Sequence, residues 1–486
     1  MASRPSRATV HVAGAARRIR SAYVSQSPVA VIGTGFAGFG AGHRLEAADT
    51  PYVVYDRNAY IGGHTASHEL AGGFIFDQGP HVSFAKDERI QRILSDAVHG
   101  RYEAVRIGLD SYWQGRTVTH PVQVNLHGLP VDLTVRILMD LAAVSSAPAD
   151  EPPPGDYETW LRKSYGDTFA ETFPIPYGLK YHTTPMANLT TDWLGPRMYR
   201  PSLEEALRGA LSAEPQRNLH YVTHFRYPTE GGYAAYLSSW VARTDVRLNH
   251  RVIGIDPAQR ILRFADRRET AFGQLISSIP LPDLVPLIDN APDEVIAAAE
   301  RLAFSSVVLV NLGVDRPGLG GDTHIRYVYD ADIPFSRISF PHRLSPRVVP
   351  TGASAVQVEW YFSEKYKPLT TRPDELVEPT VHHLRAMGII APDDRILVSE
   401  AQFCRYANVI YDHDRADAVA VIRAFLDQVG IHTCGRYGEW NHSWTDESFL
   451  SGERAAEAAL AAAHDHRPAS RATIGATMST SAPKLK

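Results

Sequence analysis

A continuous apolar run at residues 29–33 is the first regular feature of the chain, and it leads into a glycine-rich segment, 33–38. A run of this kind is typical of a buried parallel strand. The stretch that follows is amphipathic, with one face formed by Ala41, Leu45 and Ala48. A second apolar run, 52–55, then ends at Asp56. The pattern therefore predicts a strand, a glycine turn, a helix and a second strand.

The three glycines of this segment have the spacing of a dinucleotide-binding turn. Gly33 permits the tight turn, Gly35 lets the backbone approach a pyrophosphate, and Gly38 lets helix and strand pack closely. The helix N-terminus offers free N–H groups and partial positive charge to the phosphates. Asp56 lies 18 residues beyond Gly38, near the separation of about 20 expected for the acid that binds a ribose. These residues, with Arg57, are therefore predicted to bind a dinucleotide.

A second pair of glycines follows the second strand almost at once, in the segment Gly62-Gly63-His64-Thr65. Two adjacent glycines leave room for another close approach of the backbone. The segment resembles the extension found in FAD-binding oxidoreductases of the amine oxidase and glutathione reductase type, where it runs beside the flavin phosphates. The resemblance implies that these four residues contact FAD, because a dehydrogenase that uses only nicotinamide would not need them.

The composition narrows the class of protein. The chain has 486 residues, of which 44% are apolar and 21% charged, so a globular protein of two or three units is expected. Lys and Arg number 49 against 54 Asp and Glu, a near-balance that argues against a nucleic-acid partner. Apolar runs of about 18 residues are absent from the sequence, so no membrane span and a cytoplasmic location are expected. The Arg-rich start at 1–27 is interpreted as a disordered extension, with a transit peptide as the alternative.

Further segments resemble motifs of the UDP-galactopyranose mutases, a group within the wider superfamily of amine oxidases and protoporphyrinogen oxidases. The wider superfamily shares the first and last motifs but not those in the middle. The matches occur in the order of the mutase family, and together they are much more specific than any one alone. The segments lie at 76–84, 113–125, 176–197, 225–232, 334–346 and 435–452.

The resemblance implies a flavin-dependent mutase that contracts a pyranose to a furanose. In such enzymes the N5 atom of the reduced flavin attacks the anomeric carbon of a nucleotide-activated sugar. No net oxidation results, and NAD(P)H is needed only as a reductant that primes the flavin. The expected substrate is therefore a small sugar or sugar nucleotide, and the expected class of enzyme is an isomerase of the intramolecular transferase type.

The resemblance also implies roles for particular residues. His81 belongs to a loop that lies over the flavin, and Asn125 orients the flavin or the sugar. Arg197 and Arg337 stand where the family holds the substrate diphosphate, and paired guanidinium groups suit phosphate geometry. The C-terminal motif assigns four more residues to the flavin, namely Arg436, Gly438, Asp446 and Ser448. Asp446 or Ser448 is also a plausible N-cap for the helix that follows.

The phosphate half of the mutase pattern is altered. Three positions where the family has phosphate-contacting tyrosines carry Leu344, Asn408 and His442. Three lost hydroxyls, at roughly 0.5–1.5 kcal/mol each, would weaken diphosphate binding by several kcal/mol. Their expected replacements as substrate contacts are Arg343, Tyr411, His442 and Asn408. Either a different nucleotide sugar binds, or the substrate carries no diphosphate.

The lost tyrosines favour a second hypothesis, an FAD-dependent oxidase or dehydrogenase of a small metabolite. A hydride would then pass to the flavin, and dioxygen would reoxidise it. A flavin-binding protein without turnover is a third interpretation, for which the sequence offers no positive support. A metal site is not expected, because His382-His383 and His464 with His466 lack further ligands at suitable spacing. Tyr361 is assigned to aromatic core, with a position in the lining of the pocket as the alternative.

The resulting prediction is an α/β fold with a discontinuous Rossmann-like FAD domain, a helical insertion and a mostly antiparallel sheet on the substrate side. In the insertion, Leu133, Ile137 and Leu141 recur at helical spacing, as do Leu203, Leu207 and Leu211. The active site is expected in the cleft between the units. The predicted boundaries are 28–100, 221–300 and 395–465 for the FAD domain, 101–220 for the insertion, 301–394 for the sheet, and 1–27 and 466–486 for disordered tails. Within 101–220, residues from about 110 to 126 are expected to contribute to the antiparallel sheet, and the helices from about 130 to 215.

Overall fold

The computed structural model describes residues 27–84, 87–146, 155–195, 198–216 and 224–465. The two predicted tails therefore lie outside the described residues, apart from Ser27. The strands are β1 (Val29–Ile32), β2 (Tyr52–Tyr55), β3 (Ser67–Leu70), β4 (Phe74–Asp77), β5 (Tyr102–Arg106), β6 (Leu109–Trp113), β7 (Arg116–Thr119), β8 (His224–Pro228), β9 (Val246–Arg247), β10 (Val252–Asp256), β11 (Ile261–Phe264), β12 (Glu269–Ala271), β13 (Leu275–Ser277), β14 (Phe304–Val314), β15 (Ile325–Val328), β16 (Arg337–Ser339), β17 (Ser354–Phe362), β18 (Ile396–Val409) and β19 (Ile431–Thr433).

The α-helices lie between these strands and are numbered separately along the chain. They are α1 (Phe36–Glu46), α2 (Glu88–Ala97), α3 (Val131–Ser145), α4 (Tyr157–Tyr165), α5 (Asp167–Thr172), α6 (Pro174–His182), α7 (Leu203–Leu211), α8 (Ala235–Arg243), α9 (Leu281–Leu284), α10 (Asp293–Arg301), α11 (Val377–Ala386), α12 (Arg415–Val429), α13 (Gly435–Gly438) and α14 (Thr445–Asp465).

A five-stranded parallel sheet forms the nucleotide-binding unit, in the order β19-β13-β1-β2-β9. Its central strand β1 pairs with β13 on one side and with β2 on the other. All four residues of β1 are buried, as expected of a parallel strand that is covered on both faces. The strands come from three distant parts of the chain, so the predicted discontinuous Rossmann-like unit is confirmed.

A seven-stranded sheet, in the order β18-β14-β17-β16-β15-β6-β7, forms the second layer. It is antiparallel except for the pairing of β15 with β6, and every residue of its strand β14 is buried. Two parts of this sheet bear on the predicted boundaries. Strand β18 falls in the range predicted for the FAD unit, and its hydrogen bonding to β14 corrects that assignment. The hairpin β6–β7 falls within 101–220, and its pairing with β15 agrees with the expectation that residues from about 110 contribute to the antiparallel sheet.

Helices α3 to α7 form the insertion. The predicted face of α3 is confirmed, because Leu133, Ile137 and Leu141 are all buried. The predicted face of α7 is wrong, since Leu211 is 83% exposed and the helix buries Ala206 and Gly209 instead. A β-carbon at Gly209 would lie 1.8 Å from the carbonyl oxygen of Val124. The helix therefore approaches its neighbour on its smallest residues and leaves Leu207 and Leu211 exposed, while Leu203 is partly buried against the core.

Helix α14 packs on α1, although about 400 residues separate them in sequence. Two glycines allow the contact. A β-carbon at Gly40 would lie 1.9 Å from the carbonyl oxygen of Phe449, and one at Gly452 would lie 1.9 Å from the carbonyl oxygen of Ala37. The backbones of the two helices are thus in direct contact, which places the start of α14 beside the glycine turn of the nucleotide-binding unit.

Candidate active site

One continuous cavity of about 1120 Å³ runs from the glycine turn after β1 to the face of the seven-stranded sheet. Small-molecule sites commonly measure about 300–1,000 Å³, so this space is large enough for a dinucleotide together with a second ligand. The parallel sheet supplies the walls of one end, which we call the dinucleotide end. The helical insertion and the seven-stranded sheet supply the other, which we call the substrate end. The cavity thus lies between the units, where the sequence places the active site.

The glycine turn has the geometry that close approach of a pyrophosphate requires. Gly33 has a φ of +110°, a conformation that residues with a β-carbon rarely adopt. Gly33 and Gly35 both line the cavity. Gly38 is not among the described lining residues, and a β-carbon there would lie 2.0 Å from the carbonyl oxygen of Gly33. Gly38 therefore holds α1 against the turn, while the other two glycines leave the cavity open.

Asp56 lines the cavity at the end of β2 and is buried. Its Oδ2 accepts hydrogen bonds from the backbone N and the Oγ1 of Thr34, at 2.9 and 2.6 Å. Its Oδ1 accepts a bond of 2.9 Å from the backbone N of Asn58. Arg57 also lines the cavity, 3.7 Å from Asp283. Asp56 therefore ties the glycine turn to β2, and a carboxylate retains further acceptor sites for a ligand.

The second glycine pair brings its backbone to the same cavity. Gly62 and Gly63 have φ values of +102° and +53°, and the Oγ1 of Thr65 donates a bond of 2.9 Å to the carbonyl of Gly62. The ring of His64 packs edge-on against those of His81 and Tyr437, at 5.4 and 5.5 Å between centroids. Burial lowers the pKa of His64 well below its usual value, so this ring is neutral at pH 7.

His81 lies in the loop after β4, and its Nδ1 is 2.9 Å from the carbonyl oxygen of Gly79. Because a carbonyl can only accept, Nδ1 carries the proton and Nε2 is an acceptor. Burial lowers the pKa of His81 to about 4, which keeps the ring neutral. The base of this loop is fixed by Asp77, which accepts bonds from Tyr227 Oη, Ser67 Oγ and the backbone N of Tyr233. Sequence reasoning did not select Asp77.

The C-terminal motif closes the dinucleotide end. Arg436 and Ser448 line the cavity, whereas Gly438 and Asp446 are not among the described lining residues. A β-carbon at Gly438 would lie 3.1 Å from the carbonyl oxygen of Ser277, so this glycine packs against β13. Helix α14 begins at Thr445. The predicted N-cap is therefore corrected, because Asp446 and Ser448 lie inside the first turn rather than before it.

The substrate end is lined by aromatic side chains that sequence reasoning missed. Tyr361 was assigned to aromatic core, yet it lines the cavity. Two local signals could have found others, since Tyr177 and Tyr181 share one face of α6, and Tyr327 and Tyr329 have strand spacing. The aromatic lining residues at this end are Tyr157, Tyr165, Phe169, Tyr177, Tyr181, Trp193, Tyr199, Tyr327, Tyr329 and Tyr361.

Arg337 lines the substrate end but is engaged by a carboxylate. It lies opposite Glu359 in the pairing of β16 with β17. Its Nε and Nη2 donate to Glu359 Oε2 at 2.9 and 2.7 Å. Tyr361 Oη donates to the same oxygen at 2.5 Å, and the guanidinium lies 5.5 Å from the centroid of Tyr181. The positive charge of Arg337 is therefore balanced within the wall of the cavity.

Asn408 and His442 both line the cavity, and both hold Arg436. Nη2 of Arg436 donates to Asn408 Oδ1 at 2.7 Å and to His442 Nδ1 at 3.0 Å. Tyr411 lies behind them, since its Oη accepts a bond of 2.8 Å from the backbone N of His442 and its ring stacks on that histidine. Two of the three residues that replace family tyrosines, Asn408 and His442, therefore orient Arg436 at the junction of the dinucleotide end and the substrate end.

The remaining predicted residues lie away from the cavity or outside the described chain. Asn125 is buried, and its amide bonds to the carbonyl of Pro121 and to the backbone of Gln216, at 3.1 and 2.7 Å. Arg343 pairs with Asp322 at 3.2 Å. Neither Asn125 nor Arg343 belongs to the described lining residues. Arg197 lies outside the part of the chain that the structure describes.

The glycine turn, the second glycine pair and the volume of the cavity define a protein that binds a flavin dinucleotide. The residues fit FAD, because positive φ values and missing β-carbons open the backbone where a pyrophosphate would lie. The profile of the family described as "Flavin containing amine oxidoreductase" matches residues 36–460. The chain belongs to this family; it is a flavin-dependent enzyme, and its cofactor is FAD.

Three proteins are similar to this chain, one in sequence and two as solved structures. Coproporphyrinogen III oxidase of Mycobacterium leprae (strain TN) is 23% identical over 312 residues, which cover 59% of this chain and 67% of the relative. Reduced UDP-galactopyranose mutase matches with a TM-score of 0.84 and 24% identity, over 90% of this chain and 94% of the mutase. An Exiguobacterium sp. 255-15 protein assigned as a protoporphyrinogen oxidase has a TM-score of 0.68 and 16% identity, over 90% and 99%. The predicted mutase-like flavoprotein fold is therefore confirmed.

Two other features of the described part of the chain concern membrane-crossing helices and metal-binding side chains. Within it, no helix combines the length and the apolar character that crossing a bilayer would require. Over the same residues, no three His, Cys, Asp or Glu side chains are grouped so as to hold a metal ion.

Proposed function

We propose that this enzyme isomerises a sugar, nucleotide-activated or related, by ring contraction from pyranose to furanose. The observation that carries the proposal is the continuity of the cavity, which joins the glycine turn to a pocket walled by tyrosines. Tyrosine presents an apolar ring and a polar hydroxyl. A wall of tyrosines therefore suits a ligand that alternates C–H faces with hydroxyl groups, as a sugar does.

The chain's own residues would bind and orient the reactants, because the cofactor supplies the chemistry. Bound and reduced, FAD offers a nucleophilic ring nitrogen, and oxidised, it accepts a hydride. His81 stays neutral at pH 7 and offers Nε2 as an acceptor where the two ends of the cavity meet. The N-terminus of α14, at Thr445, adds partial positive charge at the same wall. The tyrosines of α6 and β15 exclude water from the substrate end.

A second candidate is an FAD-dependent oxidase or dehydrogenase of a small metabolite. One observation favours it, namely that the arginines at the substrate end already have partners. Arg337 is paired with Glu359, and Arg436 is held by Asn408 and His442. An uncharged metabolite would need no further cation. The outcome of the reaction, redox-neutral or oxidative, therefore separates the two candidates.

The test uses the purified holoenzyme under anaerobic conditions. The enzyme is reduced with dithionite, or with NADPH in parallel, and incubated with UDP-galactose or dTDP-fucose. A ring-contracted product, resolved by chromatography and identified by NMR, supports the mutase. In a separate portion of oxidised enzyme that receives the same substrate and no reductant, bleaching of the flavin, followed by oxygen consumption on aeration, supports the oxidase.

The matched control is Gly33→Val, which cannot adopt the φ of +110° and places side-chain atoms against Ser278 Oγ. This variant should lack FAD and both activities. A wild-type preparation that is colourless and releases no FAD on denaturation would contradict both candidates.

A further inference from the structure

Lys180 is a buried lysine that lies behind the wall of the substrate end. It belongs to α6 and is 8% exposed. Its Nζ donates to the carbonyl oxygens of Val328, Asp330, Ile333 and Phe335, at 2.6, 2.9, 3.1 and 3.1 Å. An ammonium group has three N–H donors and no acceptor, so these four oxygens occupy it fully. Lys180 is not among the described lining residues of the cavity, and its charge is therefore directed at the backbone and not at a ligand.

The four carbonyls belong to the segment that joins β15 to β16. Cavity-lining residues lie next to the bonded ones at both ends of this segment. Tyr327 and Tyr329 flank Val328, and Arg337 follows Phe335 by two positions. These two tyrosines and the arginine line the cavity, and Tyr327 lies opposite Arg337 in the pairing of β15 with β16. The course of the segment therefore decides where three side chains of the substrate end lie.

Helix α6 forms the neighbouring part of the same wall. Tyr177 and Tyr181 lie three residues before Lys180 and one residue after it, and both line the cavity. The ring of Tyr177 lies 5.9 Å from that of Tyr327 and 5.5 Å from that of Tyr329, between centroids. Lys180 thus joins, from behind, the two segments whose aromatic rings meet in the cavity.

The ammonium group also satisfies backbone groups in the middle of the segment. Its end is held by the backbone N of Ser336, which donates to the carbonyl oxygen of Glu359 at 3.0 Å. Among the described residues, the donor to the carbonyls of Ile333 and Phe335 is Nζ of Lys180, and both bonds are buried. A buried carbonyl without a donor is costly. Without the lysine, the segment would therefore shift to find other donors or admit water.

We propose that Lys180 is a positioning residue, whose ammonium group holds the segment between β15 and β16 against α6. In this way it sets the places of Tyr327, Tyr329 and Arg337 in the wall of the substrate end. The proposal goes beyond the proposed function, because it applies to ring contraction and to oxidation alike. Lys180 affects the binding of a ligand that it does not touch.

The test compares the wild-type holoenzyme with Lys180→Met, which keeps a long apolar side chain and removes every donor. Hydrogen–deuterium exchange, resolved by peptide, measures how firmly each segment is held. We expect the amides of 325–339 to exchange at least about tenfold faster in the variant, while those of 29–56 stay within about twofold. The ratio of FAD to protein should not change, because the glycine turn keeps its contacts.

Two further measurements report on the substrate end itself. UDP-galactose and UDP are titrated into the reduced holoenzyme and followed through the flavin absorbance spectrum; the tighter of the two should bind at least about tenfold more weakly to Lys180→Met. The rate at which dithionite reduces the bound flavin requires no substrate. It should rise at least about threefold in the variant, because a displaced wall admits solvent to the cavity.

The matched control is Lys367→Met, the same chemical change at a lysine whose Nζ lies 5.4 Å from the ring centroid of Phe362. It should leave the exchange at 325–339, the dithionite rate and both affinities within about twofold. Tm shows whether each variant is folded. Should Lys180→Met fail to fold, Lys180→Gln takes its place, since its amide keeps two N–H donors on a shorter side chain. The exchange at 325–339 should then rise at least about threefold.

Faster exchange confined to 325–339, together with weaker binding or faster reduction, supports the proposal. A Lys180 variant with a lower Tm but wild-type exchange at 325–339 would overturn it, because the lysine would then serve stability alone. Equally faster exchange at 29–56 would show a general loosening, and unchanged affinity with an unchanged dithionite rate would show that the wall does not depend on Lys180; either result also refutes it. If the wild type binds neither UDP nor UDP-galactose, the ring-contraction proposal loses its expected substrate, and the exchange and the dithionite rate still decide the role of Lys180.

Discussion

Gly452→Ala is the most direct test of how helices α1 and α14 of the nucleotide-binding unit are held together. Gly452 lies inside α14, where helix propensity alone favours alanine over glycine by about 1 kcal/mol. The added β-carbon, however, would lie 1.9 Å from the carbonyl oxygen of Ala37 and 2.7 Å from the backbone N of Ala41. Helix propensity therefore predicts that the added methyl group raises the free energy of unfolding, whereas packing predicts that it lowers it.

The clash should outweigh the gain in helix propensity, because the atoms that the β-carbon meets are backbone atoms of α1 and cannot rotate away. Overpacking a close contact typically costs about 1–3 kcal/mol, and rigid backbone partners place this case at the upper end. Set against the propensity gain, the net loss in the free energy of unfolding should be about 1–2 kcal/mol, or roughly 1–2 °C in Tm for a chain of 486 residues. Since α1 carries the glycine turn, the variant should also release FAD more readily.

The measurement is thermal unfolding followed by circular dichroism, with free FAD followed by its fluorescence. Gly155→Ala is the control, because a β-carbon there would meet no described atom within 4 Å. Its Tm should stay within about 0.5 °C of wild type. A Gly452→Ala protein that is more stable than wild type, with FAD retained, would show that the helices can separate freely, and the reasoning from backbone contact would be wrong.

Two further variants test buried side chains of helix α6, Lys180 and His182. In the structure, Nζ of Lys180 donates to the carbonyl oxygens of Val328, Asp330, Ile333 and Phe335 at 2.6–3.1 Å. Lys180→Met leaves these carbonyls without a donor and should lower the free energy of unfolding, measured by urea titration, by about 2–4 kcal/mol. A loss below about 0.5 kcal/mol would refute this reasoning. Burial lowers the pKa of His182 to about 4, below the usual value of about 6.5. The stability that this neutral ring contributes is therefore present above pH 6.5 and is lost as the pH falls to 4. His182→Gln should reduce the acid-induced loss by up to about 3 kcal/mol, and an unchanged profile of Tm against pH would contradict the shift.

The nucleotide-binding half could be predicted from sequence because its signals are local. An apolar run, three glycines and an acid lie within residues 29–56, and each is determined by the conformation of its own segment. The positive φ of Gly33 and the close contact at Gly38 follow from the same few residues. The bounds of β1 and β2 were accordingly found to within a residue.

The substrate half depends on pairings between distant segments, which the order of residues does not reveal. Arg337 faces Glu359 only because β16 and β17 pair in one register. A family motif places Arg337 near a diphosphate, but it does not say which carboxylate lies across the strand. Long strand β18 likewise has no sequence feature that assigns it to β14 rather than to the parallel sheet. Arg343 was expected to replace one of the lost phosphate contacts, and its side chain pairs with Asp322 instead.

The packing of α14 on α1 has a consequence for biosynthesis. About 400 residues must be translated between the two helices, which at roughly 5–20 residues per second takes roughly 20–80 s. During that interval Phe39 of the nascent α1 lacks the ring of Phe449, which later packs edge-on against it at 5.1 Å between centroids. Helix α1 is thus translated long before the surface that completes its environment, and the cofactor can be enclosed only after α14 has been made.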